Sequence, residues 1–175
     1  MTRTATEPAT RVTAQRFEEV FMPAQKLKKF LDSTGIKYVT ITHSLAYTAQ
    51  EIAASAHVAG KELAKTVMVK IDDKMAMAAL PAAFKISFDL MKKAAGAANV
   101  ELANEQEFKD MFPESELGAM PPFGNLYGME VFVDEILSQD EEIAFNAGSH
   151  TELIKLAYRD FERLVKPKAA KFSAR

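Results

Sequence analysis

Three histidines, one lysine at the head of an apolar strand and one stiff proline–glycine loop are the groups in this 175-residue chain whose types and spacing bear on chemistry. His43, His57 and His150 stand far apart, with no H-x-x-x-H or H-E-x-x-H pair, so no metal site is expected. Cysteine is absent, which excludes thiol catalysis, disulfides and thiolate-bound metals. There is no P-loop, no dinucleotide glycine fingerprint and no Gly-x-Ser-x-Gly elbow, and no cofactor is expected. What remains is a lysine, backbone amides and a histidine. The ammonium of Lys65 can face a cleft and stabilise developing negative charge, or its stem can simply snorkel over the sheet edge. His150 is either a base or a structural turn histidine.

The loop is Gly118-Ala119-Met120-Pro121-Pro122-Phe123-Gly124-Asn125. Tandem proline fixes φ and removes two N–H donors, so the segment fits neither a helix nor a central strand. Glycine near each end lets the backbone turn or come close to another group. Met120 and Phe123 are apolar where turns are commonly polar. Two readings fit: a packed surface loop, or one wall of a small-molecule pocket.

The elements that position these groups follow from periodicity and punctuation. Pro23 suits a first helical position, Leu27, Phe30 and Leu31 share a face, and Gly35 ends the helix. Tyr38–His43 alternates as a strand. Thr48-Ala49-Gln50-Glu51 is a capping box opening a short alanine-rich helix closed near Gly60. Thr66–Ile71 and Met75–Leu80, split by Asp72-Asp73-Lys74, form an antiparallel hairpin at the sheet's centre. Ser87 or Asp89 caps a helix stopping at Gly96, a short strand lies near Val100, and Asn104 caps a helix ending before Pro113. Met129–Val133, Glu142–Phe145 and Leu153–Leu156 are strands. Asn146–His150 reads as a tight polar turn between the last two. A final helix covers Asp160–Leu164. About seven strands joined by both turns and helices predict an α+β or mixed α/β domain, with a curled, barrel-like mixed sheet.

Composition sets the frame. Apolar residues make up 48% of the chain and net charge is −2, the balance of one globular domain. That domain is expected over residues 22–165, with a flexible arm at 1–21 and a basic tail at 166–175. No apolar run is long enough to span a membrane, no secretory signal is expected in the opening Met1–Ala14, and a cytoplasmic setting is expected. The acidic balance argues against DNA and other indiscriminate polyanion binding. Local clusters (Lys26, Lys28 and Lys29; Lys92 and Lys93; Arg163 to Arg175) are either solvated faces or phosphate contacts.

Three pieces together resemble one family: Gly60-Lys61-Glu62-Leu63-Ala64-Lys65-Thr66-Val67-Met68-Val69-Lys70, the Gly118–Gly124 loop, and Phe145-Asn146-Ala147-Gly148-Ser149-His150-Thr151-Glu152. In order, spacing and wording they look like the YbaK/prolyl-tRNA-synthetase-associated domain family, closest to its freestanding YeaK-like branch. The resemblance covers residues 22–165. It implies hydrolysis of the ester joining a wrong amino acid to its tRNA, with the acceptor end of aminoacyl-tRNA as partner and a synthetase as a second one. The family's functional lysine maps onto Lys65, followed by Thr66. Its Gly-x-x-x-Pro loop maps onto Gly118, Ala119, Met120, Pro121 and Pro122, with Phe123 and Gly124 completing that wall. The other wall maps onto Asn146, Ala147, Gly148 and His150. Some members carry glycine in place of Ala119, or Ser or Thr in place of Pro121, so the amino acid removed stays open. The expectation is a metal-independent, trans-acting deacylase acting on Ala-, Ser- or Thr-type substrates, in which Lys65 and the 118–120 amides hold the substrate. The tRNA's own 2′-hydroxyl, or His150, would prepare the water. A non-catalytic tRNA- or synthetase-binding module and a small-molecule esterase are the alternatives.

Overall fold

The computed structural model describes residues 24–175. Helix α1 (Gln25–Thr34) buries Leu27 and Leu31 and ends at Gly35 as its stripe predicts, while Pro23 and the arm at 1–21 lie outside the described residues. Strand β1 (Tyr38–Thr42) follows, then α2 (Ala49–Ala56), whose Thr48–Glu51 capping box has both reciprocal hydrogen bonds. The helix stops earlier than expected, at His57 rather than near Gly60, because His57 takes the left-handed conformation (φ 55°) and its N–H caps Ala53 O.

Strands β2 (Leu63–Ile71) and β3 (Lys74–Pro81) form the central antiparallel hairpin. Asp72 and Asp73 both turn with positive φ (46° and 67°), the geometry of a tight hairpin turn. The Asp72 carboxylate fastens that turn by accepting the N–H groups of Ala98 and Asn99. Next come β4 (Lys85–Ile86), α3 (Phe88–Ala95, capped by Ser87), β5 (Val100–Leu102) and α4 (Glu105–Phe108, capped by Asn104). After the proline loop the chain forms β6 (Glu130–Asp134), α5 (Glu135–Ser138), β7 (Glu142–Ser149), β8 (Glu152–Ala157), α6 (Tyr158–Val165), β9 (Lys168–Ala170) and β10 (Ser173–Ala174).

The main sheet is mixed and curled, in the order β1-β8-β7-β2-β3-β6-β9, with β5 also pairing β2 and a separate small sheet of β4 and β10. The β2/β7, β3/β6 and β6/β9 pairs are parallel and the others antiparallel. One face carries the largest core, where α1, α6 and the proline loop pack on Met68, Met77, Val133 and Phe145. The other face holds two smaller cores. One lies under α2 (Ile52, Ala56, Leu63, Ala144, Leu153) and the other under α3 and the C-terminus (Val69, Leu80, Met91, Phe172).

Two expectations change. Asn146–His150 is not a free polar turn: β7 continues to Ser149 through a bulge, and Ala147, Gly148 and Ser149 are buried. The Gly118 segment makes this possible by satisfying the bulged backbone, since Gly148 N–H donates to Ala119 O (2.9 Å) and Glu116 N–H donates to Gly148 O (2.8 Å). The basic segment 166–175 is strand-paired rather than loose: β9 extends the main sheet and β10 pairs β4, with Phe172 fully buried.

Candidate functional site

Strands β2 and β7 run side by side only at Leu63–Ala144 and Ala64–Phe145. Beyond that point β7 bulges away and β2 turns to pair β5 from Val69 onward. The sheet therefore splits, and a cavity of about 250 Å³ opens in the seam, lined by Tyr47, Ile52, Leu63, Ala64, Lys65, Thr66, Ala82, Gly118, Asn146 and His150. Strand alternation places Lys65 and Thr66 on opposite faces of β2. Lys65 thus stands between the two smaller cores, where neither fully covers it.

Lys65 forms no ion pair among the described residues. Partial burial, and then the neighbouring charge of Lys85, hold its amine below the ordinary lysine range. Three polar side-chain atoms on the cavity residues are buried without a hydrogen-bond partner among the described residues: Thr66 Oγ1, Asn146 Oδ1 and His150 Nδ1. An unsatisfied buried polar atom costs about 1–3 kcal/mol relative to a satisfied one, so the three weigh against the stability of this part of the fold.

His150 is held by several contacts. Its backbone N–H donates to Glu116 Oε2 (3.0 Å), its Nε2 lies 3.0 Å from Leu117 O, and its ring stacks at a tilt on Tyr47 with centroids 4.7 Å apart. A carbonyl can only accept, so Nε2 carries the hydrogen, and in the neutral ring the lone pair belongs to Nδ1. Gly118 takes φ +83°, and a Cβ there would sit 3.7 Å from His150 Cε1. The Ala119 N–H is taken by Glu116 O (3.0 Å), whereas the Gly118 N–H has no acceptor among the described residues.

Of the residues read from sequence, the fold brings Lys65, Thr66, Gly118, Asn146 and His150 to the cavity. It does not bring the rest of the proline loop. Ala119, Met120, Pro121, Pro122, Phe123 and Gly124 are buried behind the wall, with Met120 and Phe123 in the main core. Phe123 packs on Phe30, Phe145 and Phe161 with ring centroids 6.5, 5.5 and 5.6 Å away. Ala147 and Gly148 are likewise buried, and a Cβ at Gly148 (φ +85°) would come within 2.8 Å of Ala24 N, so only glycine fits. Sequence reasoning missed Tyr47, Ile52, Leu63, Ala64 and Ala82 on the cavity wall, and Glu116, which holds His150. Tyr47 carried a readable signal, a large aromatic at the entry to a capped helix; Glu116, two residues before Gly118, carried none.

Among the described residues no three His, Cys, Asp or Glu side chains gather as metal ligands, and no helix is long and apolar enough to cross a membrane. The model of the aminoacyl-tRNA editing domain family matches residues 43–164, more than half of the chain and every cavity residue. A search of curated proteins finds no match. Among solved structures, the hypothetical protein APE2540 superposes with a TM-score of 0.77 at 21% identity, covering 86% of this chain and 100% of its own. A candidate trans-editing enzyme for prolyl-tRNA synthetase superposes with a TM-score of 0.74 at 17% identity, covering 87% and 97%. At these identities the superpositions establish the fold alone, the mixed curled sheet expected from sequence. The family rests on the matched sequence: the chain belongs to the aminoacyl-tRNA editing domain family.

Proposed function

We propose that the protein is a trans-acting deacylase that hydrolyses the ester of a tRNA mischarged with a small amino acid of the Ala, Ser or Thr type. The observation that carries this reading is one small cavity lined together by Lys65, which forms no ion pair among the described residues, and by Thr66, Gly118, Asn146 and His150. About 250 Å³ lies below the roughly 300–1,000 Å³ of common small-molecule sites. Ile52 and Leu63 line it with aliphatic surface that a larger side chain would strike. An aminoacyl ester is already activated, so hydrolysis needs an oriented water and a stabilised oxyanion rather than a covalent nucleophile.

In this reading the ester carbonyl lies against the Lys65 ammonium and the Gly118 N–H, which stabilise the oxyanion as water adds to the carbonyl carbon. His150 Nδ1, buried as the ring now stands, takes the water's proton once the ring turns toward the cavity, and returns it to the ribose oxygen as the ester C–O bond breaks. The products are the free amino acid and the intact tRNA 3′ end. Thr66 and Asn146 orient the amino acid's polar groups. No step calls on a metal. Discrimination by one methylene is worth about 1–3 kcal/mol, which is why a separate hydrolytic sieve is useful to a synthetase.

The test is the purified protein against a panel of mischarged tRNAs, with Lys65→Ala and His150→Gln alongside. The expected result is turnover of the Ala-, Ser- or Thr-type members, lost in Lys65→Ala. Turnover of no member would leave a binding module and overturn the reading. Equal hydrolysis of a free aminoacyl ester would make the protein a small-molecule esterase. Full activity in His150→Gln would move the water's activation to the tRNA 2′-hydroxyl.

A further inference from the structure

The main sheet ends in two edges that are built differently. At one end stands β9, three residues long, preceded by Pro167 and set among Lys166, Lys168 and Lys171. Shortness, proline and lysine each keep an edge strand from pairing with another chain. At the other end stands β1, Tyr38-Val39-Thr40-Ile41-Thr42, with no charge, no proline and four β-branched residues in a row. Val39 is 59% exposed, and Thr40 and Thr42 are exposed on either side of Ile41.

The strand register fixes which backbone groups of β1 are free. Thr40 lies opposite Ile154 of β8, and His43 N–H donates to Thr151 O (2.8 Å) in the same antiparallel register. Hydrogen-bonded pairs alternate along such a ladder, so Val39 and Ile41 bond β8 while Tyr38, Thr40 and Thr42 turn their N–H and C=O groups to the outer edge. Among the described residues no strand takes those groups. Their spacing is self-complementary. A second β1 laid antiparallel with Thr40 opposite Thr40 sets Tyr38 opposite Thr42, and every outer N–H and C=O of both copies is then paired. Moving the two-fold axis to Val39 or to Ile41 leaves Thr42 or Tyr38 without a mate in the strand. The Thr40 register also puts Val39 directly opposite Ile41 of the second copy. That is a non-hydrogen-bonded pair, in which side chains come closest, so it covers the exposed valine with another β-branched side chain.

We propose that β1 is a homodimerisation edge, on which a second copy of this chain adds antiparallel about a two-fold axis at Thr40 and joins the two main sheets into one. The proposal is independent of the deacylase reading. The contact is short, so the dimer is weak and forms as concentration rises.

The test uses the full chain, which has no cysteine of its own. Opposite Cα atoms of a hydrogen-bonded pair lie about 5.5 Å apart, within reach of a disulfide, so Thr40→Cys should form a covalent dimer under mild oxidation. Thr42→Cys lies on the same edge but should not cross-link, because its two copies stand four residues apart along the ladder, about 14 Å. In analytical ultracentrifugation the wild type should move from the chain mass toward twice that mass with increasing concentration. Thr40→Pro removes an outer-edge donor and spares every β1/β8 bond, so it should weaken association about tenfold or more. Val39→Lys gives β1 the guard that β9 carries and should weaken association as well. Its thermal melt at low concentration should match wild type, since Val39 is mostly exposed, so it serves even where Thr40→Pro does not fold. A wild type that stays monomeric up to about 1 mM would overturn the proposal. So would association undiminished in Val39→Lys, or cross-linking of Thr42→Cys as fast as that of Thr40→Cys.

Discussion

Met120 to Gly124 lie buried behind the cavity, with Phe123 packed among Phe30, Phe145 and Phe161, whereas Lys65, Thr66, Asn146 and His150 line a hollow, and among the described residues Lys65 has no ion pair and three buried polar atoms of the others have no hydrogen-bond partner. The segments around the two regions are tied together by backbone hydrogen bonds, Gly148 N–H to Ala119 O and Glu116 N–H to Gly148 O. The loop therefore contributes stability and holds the bulge open, while the seam gives up stability for contacts it does not make within the protein. Substitutions that move stability and activity in opposite directions are the means of separating them.

The largest effect should come from the loop. Phe123→Ala removes a fully buried ring from the main core and should cost about 3–5 kcal/mol in denaturant unfolding. Its deacylation rate per folded molecule, measured well below the melting transition, should stay within a few fold of wild type. A loss of rate as deep as that of Lys65→Met would show that the loop measures the substrate directly.

Lys65→Met should do the reverse. Removing an oxyanion donor of this kind costs about 10²–10³-fold in kcat. Stability should rise slightly, by well under about 1 kcal/mol, because a half-buried amine is still partly screened by solvent. The folded pKa lies below the unfolded value of 10.5, so between the two the unfolded chain binds more protons. The wild type's deficit against Lys65→Met is then full below the folded pKa and vanishes above 10.5. If the charged amine is the active form, kcat/KM should fall on its alkaline side at a pH below the ordinary lysine range. Stability profiles of the two proteins, with the pH–rate profile of wild type, check both statements. His150→Gln should lower kcat about 10²-fold with little change in stability, since the backbone N–H to Glu116 survives the change.

The sequence carried the fold wherever a local signal agreed with the packing. The Thr48–Glu51 box, the β2/β3 hairpin and the Asn104 cap are each set within a few residues, and each was readable. Lys65 and Thr66 were readable as a charged residue and its neighbour at the head of an apolar strand. The Asn146–His150 stretch misled because its glycine and polar residues carry turn chemistry, while its partner, Ala119, lies almost thirty residues away. The C-terminal strands were illegible for the same reason: what orders Phe172 and Ser173 is a carboxylate on Asp134, far upstream. Proline and glycine marked the 118–124 loop as rigid, but composition alone cannot tell a wall that faces a ligand from one that faces the core.

The finest test of the contrast is Thr66→Val, which keeps the side chain's shape and deletes one unpartnered hydroxyl. In the loop, removing a buried group of this size would leave a hole. At Thr66 a methyl group takes the hydroxyl's place, so no cavity forms and an unsatisfied oxygen disappears. Unfolding free energy should stay level or rise by up to about 1 kcal/mol. If Oγ1 contacts the bound aminoacyl group, KM for the mischarged tRNA should rise about three- to tenfold with kcat nearly unchanged, the signature of lost uniform binding. A destabilised Thr66→Val protein would mean that the hydroxyl already has a partner and that the seam is less frustrated than its geometry indicates. A stable variant with an unaltered KM would leave Asn146 and His150 as the groups that read the amino acid.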